Sequence, residues 1–218
     1  GNGFDGTVFG ASLAEDRNGQ AGAAYSFSSG NYIRLPNDIA QAAASSFSLG
    51  SWIKYSTTNS SMMAASIEGT YVLYINRFKT GAFTPMFDGS SLNGDLSYGC
   101  NLNDGRWHHV VGVHDNGTLY AYIDGRLAGT ATETLSNLTS QNLASAIGAQ
   151  YDASGNFFVG AIDDVIFYNR ALTQEEIAGL VVHIEPDQTG TFAAGTQWTT
   201  IRNSITIGAD DSSYDNKN

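Results

Sequence analysis

Two adjacent carboxylates, Asp163 and Asp164, stand inside the strand-like stretch FFVGAIDDVIFY (Phe157 to Tyr168). With side chains alternating every second residue, Asp163 falls on the same face as Val165 and Phe167. A carboxylate in line with core residues needs a cation or several donors to be tolerated. The pair is therefore expected to anchor a metal ion on a β-sandwich. Asp163 would be the ligand, and Asp164 either a second ligand or a solvent-facing neighbour.

Other reactive groups point away from catalysis. Of the four histidines, His108 and His109 are adjacent and point to opposite faces of a strand. His108 and His114 share a face but lie about 20 Å apart at about 3.3 Å per residue, and His183 stands alone, so zinc or iron chemistry is not expected. Glycoside hydrolysis requires two carboxyl groups about 5 to 10 Å apart across the scissile bond. Glu175 and Glu176 lie on a predicted helix, while Glu15, Glu68, Glu133 and Glu185 read as turn residues. No G-x-S-x-G elbow and no phosphate-binding loop occurs. The single cysteine, Cys100, excludes an intrachain disulfide framework and reads as a small buried or half-buried residue.

Binding finds more support. Sugars present apolar CH faces and hydroxyls, so their sites pair an aromatic ring with amides, carboxylates and backbone groups. Tyr120 and Tyr122 project from the non-core side of their strand, and Trp52 and Tyr74 do so on theirs. Asn76, Arg77 and Asp88 could supply hydrogen bonds nearby. The loop YDASGNF contributes Tyr151, Asp152 and Asn156. Ordinary packing competes for each ring taken singly; the expectation rests on their number. Trp107 is read as core.

The elements that must position these groups are strands. The chain has 218 residues, 42% hydrophobic and only 14% charged, with 25 glycines and 3 prolines. Such a mixture suits many short strands joined by turns in a single all-β domain. FSLGSWIKY alternates Phe47, Leu49, Ile53 and Tyr55 against Trp52 and Lys54. Asn116-Gly117 and Asp124-Gly125 sit between alternating runs, the strongest short hairpin signals. Short helices are expected over Asp38 to Ala44 and over Thr173 to Leu180, the latter opened by a Thr173/Glu176 capping box. Two antiparallel sheets packed as a sandwich follow, a jelly roll with one or two short helices. Its domain is placed at residues 1–182. Residues 183–218 either complete a sheet or begin a truncated second repeat, SITIGAD echoing SAIGAQYD.

A net charge of −11 argues against nucleic acid and against an anionic membrane surface. No apolar run of about 18 residues exists, so membrane insertion is not expected. The start at Gly1-Asn2-Gly3 reads as a piece excised from a longer polypeptide with other domains. Sequons at Asn59, Asn116 and Asn137 read as chance in a chain rich in Asn, Ser and Thr.

Taken in order, GNGFDGTVFGAS, YSFSSGNYIRLP, FSLGSWIK, DGRWHHVVGV, LYAYIDG and GAIDDVIFYNRALTQEEI resemble a laminin G-like jelly roll of the concanavalin A-like lectin/glucanase superfamily, over roughly Gly1 to Leu180. The resemblance implies two curved antiparallel sheets and a structural calcium ion. By position it adds the carbonyl of Gly30, with Asn2 or Asp5, to Asp163 and Asp164 as ligands. It implies sugar or protein binding by modules attached to secreted glycan-degrading enzymes or adhesins. The E-x-D-x-x-E pattern of the fold's glucanases is absent. The function expected is a noncatalytic polysaccharide-binding module of a secreted or cell-surface protein. The alternatives are an adhesive or spacer domain that binds protein and, behind it, a glycan hydrolase or lyase.

Overall fold

A computed structural model describes residues 5–36, 46–59, 61–87, 101–132, 143–181 and 206–208. Its strands are β1 (Thr7–Phe9), β2 (Ser12–Ala14), β3 (Ala24–Phe27), β4 (Tyr32–Leu35), β5 (Ser46–Lys54), β6 (Met62–Ile67) and β7 (Tyr71–Ile75). They continue with β8 (Phe83–Phe87), β9 (Trp107–Asp115), β10 (Thr118–Ile123), β11 (Arg126–Thr132), β12 (Ser145–Ile147), β13 (Gly160–Tyr168) and β14 (Thr206–Gly208). One helix, α1 (Gln174–Val181), follows β13. A six-stranded sheet has the order β1–β4–β12–β6–β7–β8. The second runs β11–β10–β9–β5–β13–β3–β2, with β14 paired in parallel to β13. The two-sheet β-sandwich is the architecture the alternating pattern specifies. The expected helix over Asp38–Ala44 lies outside the described residues.

Alternation along β5 builds the core. Phe47, Leu49 and Ile53 are fully buried between the sheets with Val110, Leu119, Leu73 and Ile75. The Phe47 ring meets Tyr71 edge-on at 4.4 Å and Phe87 at 4.6 Å. Both predicted hairpins form. Asn116 and Gly117 join β9 to β10 with φ of 45° and 86°, and Asp124 and Gly125 join β10 to β11 with φ of 49° and 75°. Two positive φ values in succession are what a twist-matched two-residue turn needs. At α1 the capping box closes in both directions. The Glu176 N–H donates to Thr173 Oγ1 at 3.3 Å, and the Thr173 N–H donates to Glu176 Oε2 at 2.7 Å. The helix then lays Ile177, with Leu172 before it, against Val111, Val113, Tyr122 and Ile166 on the outer face of the larger sheet. No helix among the described residues is long and apolar enough to cross a membrane.

One expectation fails at β13. Asp163 pairs with Trp52 and Ile166 with Gly50, so Asp164 and Val165 stand opposite the single Ser51. This is a β-bulge, and Asp164 takes a φ of 44° within it. The extra residue shifts the phase of alternation. Ile162, Val165 and Phe167 face the core, while Asp163 faces outward beside Trp52. Trp107 is likewise corrected: it pairs with Lys54 and stands half-buried on the outer face.

Gly112 shows how tightly the sheets approach. A Cβ there would lie 2.6 Å from both Phe87 Cζ and Pro85 Cβ. Gly112→Ala is therefore expected to overpack the core and lower stability by about 1–3 kcal/mol. Urea denaturation measures this, and an unchanged midpoint would mean that the sheets can separate without cost.

Candidate functional site

The bulge turns a charge outward, and a loop covers it. Asp16 accepts hydrogen bonds from the N–H groups of Asn18 and Gln20, both at 2.8 Å, closing the segment after β2 into a compact turn. That turn holds Arg17 over the sheet. Its Nη1 lies 3.0 Å from Asp163 Oδ2 and also contacts Asp164 Oδ2. Its Cζ is 4.7 Å from the centroid of the Trp52 ring, and Trp52 meets the His109 ring at 5.1 Å. Asp163 is 5% exposed. Burial, reinforced by the charge of Asp164 and opposed by Arg17, pushes its carboxyl up to about 7. Burial, and next the Arg17 charge, push the His109 imidazole down to about 3, so it is neutral.

The expected calcium ligands do not converge. Arg17 supplies the countercharge at Asp163 and Asp164. Asp163 is level with Ala24 on β3, because Ile162 pairs with Tyr25, whereas Gly30 lies beyond Phe27 at the other end of that strand. Asp5 is exposed and precedes Thr7, which pairs with Arg34, so it sits at the end of β4 away from Gly30. Asn2 lies outside the described residues. Among those residues no group of three or more His, Cys, Asp or Glu side chains could hold a metal. As a single site, the set is corrected by the bulge and by Arg17.

The predicted ligand-binding residues also separate. Tyr120 and Tyr122 do face outward with rings 6.5 Å apart. Tyr122, however, is 7% exposed beneath Leu172 and Ile177, and Tyr120 packs against the same cluster. Trp52 is 8% exposed under Arg17. Asn76 is buried with every hydrogen-bonding valence used. Its Oδ1 accepts from Tyr55 Oη at 3.1 Å and the Gly81 N–H at 2.7 Å, and its Nδ2 donates to the carbonyls of Thr57 and Asn59. Tyr74 is half-buried, with Arg77 Cζ 4.1 Å from its ring centroid. In the 150–156 loop, Asn156 Nδ2 donates to Gln150 Oε1 at 2.8 Å and Asp152 accepts from the Ser154 N–H at 3.0 Å. The Tyr151 ring lies against Gly69. Asp88 lies outside the described residues.

An open concavity among the described residues lies elsewhere on the outer face of the larger sheet. A groove of about 480 Å³ runs between the end of β2 and the end of β5, lined by Glu15, Ser26, Lys54, Ser56 and Thr57 over a floor of Gly160 and Ala161. Ser26, Ala161 and Lys54 are cross-strand neighbours on β3, β13 and β5. The floor demands glycine, because a Cβ at Gly160 would lie 2.3 Å from the Lys54 carbonyl oxygen. Lys54 Nζ stands 5.9 Å from the centroid of Trp107, its neighbour on β9. Gly105 forms part of the wall and donates its N–H to the Tyr55 carbonyl at 3.0 Å. Beside it, His108 bridges two acids, with Nδ1 2.9 Å from Asp124 and Nε2 3.3 Å from Asp104. The hydrogen bond to Asp124 outweighs burial and raises His108. The Arg106 N–H foremost lowers Asp104. Burial alone would raise Asp124, but hydrogen bonds from His108 and the His109 N–H bring it below its usual range.

Sequence reasoning missed Glu15, Ser26 and Lys54 as a group. The outward phase of Lys54 in FSLGSWIKY was readable; its neighbours on β2, β3 and β13 come from strand order.

The fold is shared with known proteins. A family model described as the concanavalin A-like lectin/glucanases superfamily matches residues 27–178. No curated protein matches the sequence. Domain 4 of an extracellular arabinanase from Geobacillus stearothermophilus, solved with arabinotriose, is similar at 21% identity and a TM-score of 0.56, covering 81% of this chain and 88% of that one. The binding domain of Paraclostridial Mosquitocidal Protein 1 is similar at 14% identity and a TM-score of 0.62, over 83% of this chain and 48% of that one. Mouse laminin α1 domains LG4-5 are similar at 15% identity and a TM-score of 0.52, over 75% and 46%.

Removing the guanidinium strands a buried acid. Arg17→Met should cost about 3 kcal/mol in urea denaturation, and adding Asp163→Asn should recover part of the loss. The same groups set the pH response. The raised Asp163 means the native state binds its proton more tightly than the unfolded chain, so stability falls as pH rises from about 4 to about 7. Raised His108 acts in the same direction, its contribution held below about pH 6.5 and lost as pH rises through the native value. Lowered Asp104 and Asp124 lose their contribution as pH falls below about 4. Lowered His109 opposes Asp163 between about pH 4 and 6.5, because the unfolded imidazole takes a proton that the native one refuses. Melting temperature should therefore be nearly level there and fall above about pH 6.5, and Asp163→Asn should turn the level stretch into a rise toward neutrality. Any rise in melting temperature on adding calcium should be equal in wild type and Asp163→Asn. Loss of such a rise in the variant would return an ion to this pair.

Proposed function

Because the chain belongs to the laminin G-like family of the concanavalin A-like lectin/glucanase superfamily, we propose that it is a noncatalytic carbohydrate-binding module whose ligand lies in the groove between Glu15 and Lys54. The groove carries this reading. Its walls offer a carboxylate acceptor, an ammonium donor and three hydroxyls that do both, the complement a sugar's hydroxyls require. The Trp107 indole beside Lys54 supplies an apolar partner for a CH face. Glu15 is the one acid among the lining residues, whereas glycoside cleavage needs two facing carboxyls. A net charge of −11 disfavours polyanionic glycans, so the ligand class is neutral. Attachment to further domains and a secreted or cell-surface location belong to the same reading. The arabinotriose complex of the arabinanase domain supports arabinan as the first glycan to try.

Affinity electrophoresis against arabinan, arabinoxylan, mixed-linkage glucan and mannan tests this. At least one should retard the wild type. Lys54→Ala and Glu15→Ala should each weaken that binding about tenfold or more, the scale of one charged hydrogen bond. Tyr120→Ser, lying beneath α1, should leave it unchanged. No retardation by any glycan would end the reading.

A further inference from the structure

The smaller sheet carries an open aromatic pair on the opposite side of the molecule. Phe9, the last residue of β1, stacks on Tyr32 of β4 with centroids 4.7 Å apart and planes 12° from parallel, yet it is 44% exposed. Strand β1 is a sheet edge whose three residues, Thr7, Val8 and Phe9, are all exposed and uncharged. Edges are ordinarily blunted with charge, so a bare ring here calls for a partner. Polar groups continue the face beyond Tyr32. Arg34 sets its Cζ 5.3 Å from the centroid of Tyr32 and donates to the Tyr151 carbonyl, which brings the 150–156 loop alongside. Asp152 on that loop is exposed, and Ser154 foremost, with a smaller contribution from Arg34, holds its carboxyl low, keeping it an acceptor at neutral pH. Next to Phe9, the Asn31 amide lies where any Cβ on Gly10 would stand, 2.0 Å from its Nδ2.

We propose that this is a second sugar platform. A pyranose or furanose ring lays its CH face on Phe9 and turns its hydroxyls to Arg34 and Asp152. The inference rests on the carbohydrate-binding reading and extends it. Tyr32 and Arg34 alternate with the core residues Ile33 and Leu35, while Ser26 and Lys54 sit next to the core residues Phe27 and Ile53. The two sites therefore open on opposite faces of the sandwich. Two sheets, packed about 10 Å apart, lie between them. One domain would thereby bridge two polymer strands, gaining avidity on a dense polysaccharide that a single site lacks.

Isothermal titration with arabinotriose, cellotriose, xylotriose and mannotriose decides this. At least one trisaccharide should bind at two sites per chain. Phe9→Ala should reduce that to one, as should Arg34→Met, whose outward position spares the core. Lys54→Ala should remove the other site. Turbidity with the matching polysaccharide should appear for wild type and vanish for either single-site variant. One site that is lost in Lys54→Ala and indifferent to Phe9→Ala and Arg34→Met overturns the platform and leaves the groove standing. One site with the reverse dependence overturns the groove and the bridging. No heat with any trisaccharide overturns both.

Discussion

A carboxylate buried on the outer face of a sheet constrains everything around it. Asp163 is nearly inaccessible, and an uncompensated charge in that position would cost several kcal/mol. Compensation comes from Arg17, 146 residues away in sequence, so the larger sheet is complete only when the segment after β2 has folded over it. The Asx turn at Asp16 fixes that segment. Glu15 immediately precedes it, so the wall of the groove is positioned by the same ion pair that neutralises the bulge. Stability and the shape of the groove are joined at one guanidinium.

The bulge also decides which surface remains open. In a regular strand with Val165 and Phe167 turned inward, Asp163 would have entered the core with them. With one extra residue Asp163 turns outward instead, onto the face where Ile166 joins Val111 and Val113 and offers α1 an apolar bed. The helix then takes the end of the face where Tyr122 lies, the Arg17 turn covers Trp52 in the middle, and the remaining end near Ser26 and Lys54 stays concave. Two coverings of one sheet leave a concavity beside Ser26 and Lys54 among the described residues.

How far these features could be read in the sequence depends on the range of the forces behind them. The sandwich, the Asn116-Gly117 and Asp124-Gly125 turns and the Thr173/Glu176 cap follow from interactions within a few residues, and each is present as expected. The phase of β13 was not readable, because a bulge is set by the register with β5 and GAIDDVIFY alternates plausibly either way. Tyr120 and Tyr122 were placed on the correct face, but their covering by α1 depends on a contact between elements some 50 residues apart. Asn76 looked like a ligand because it is polar and lies beside aromatics; its left-handed φ of 56° and its four side-chain hydrogen bonds show it tying a turn together. Polar residues that hold loops and polar residues that hold ligands have the same composition, and only their partners distinguish them.

The distribution of charge gives a reason for the ligand class that composition alone does not. The molecule is acidic overall, yet several acids among the described residues are met locally: Asp163 by Arg17, Glu176 by Arg170 at 2.8 Å, Asp124 by His108. The net charge of −11 keeps polyanions at a distance. Within the groove Glu15 and Lys54 oppose one another, and Arg34 and Asp152 do so on the far face. Paired opposite charges produce a strong local field with no net charge. Such a field rewards dipoles that can both donate and accept, as vicinal hydroxyls do, and discriminates against ions of either sign.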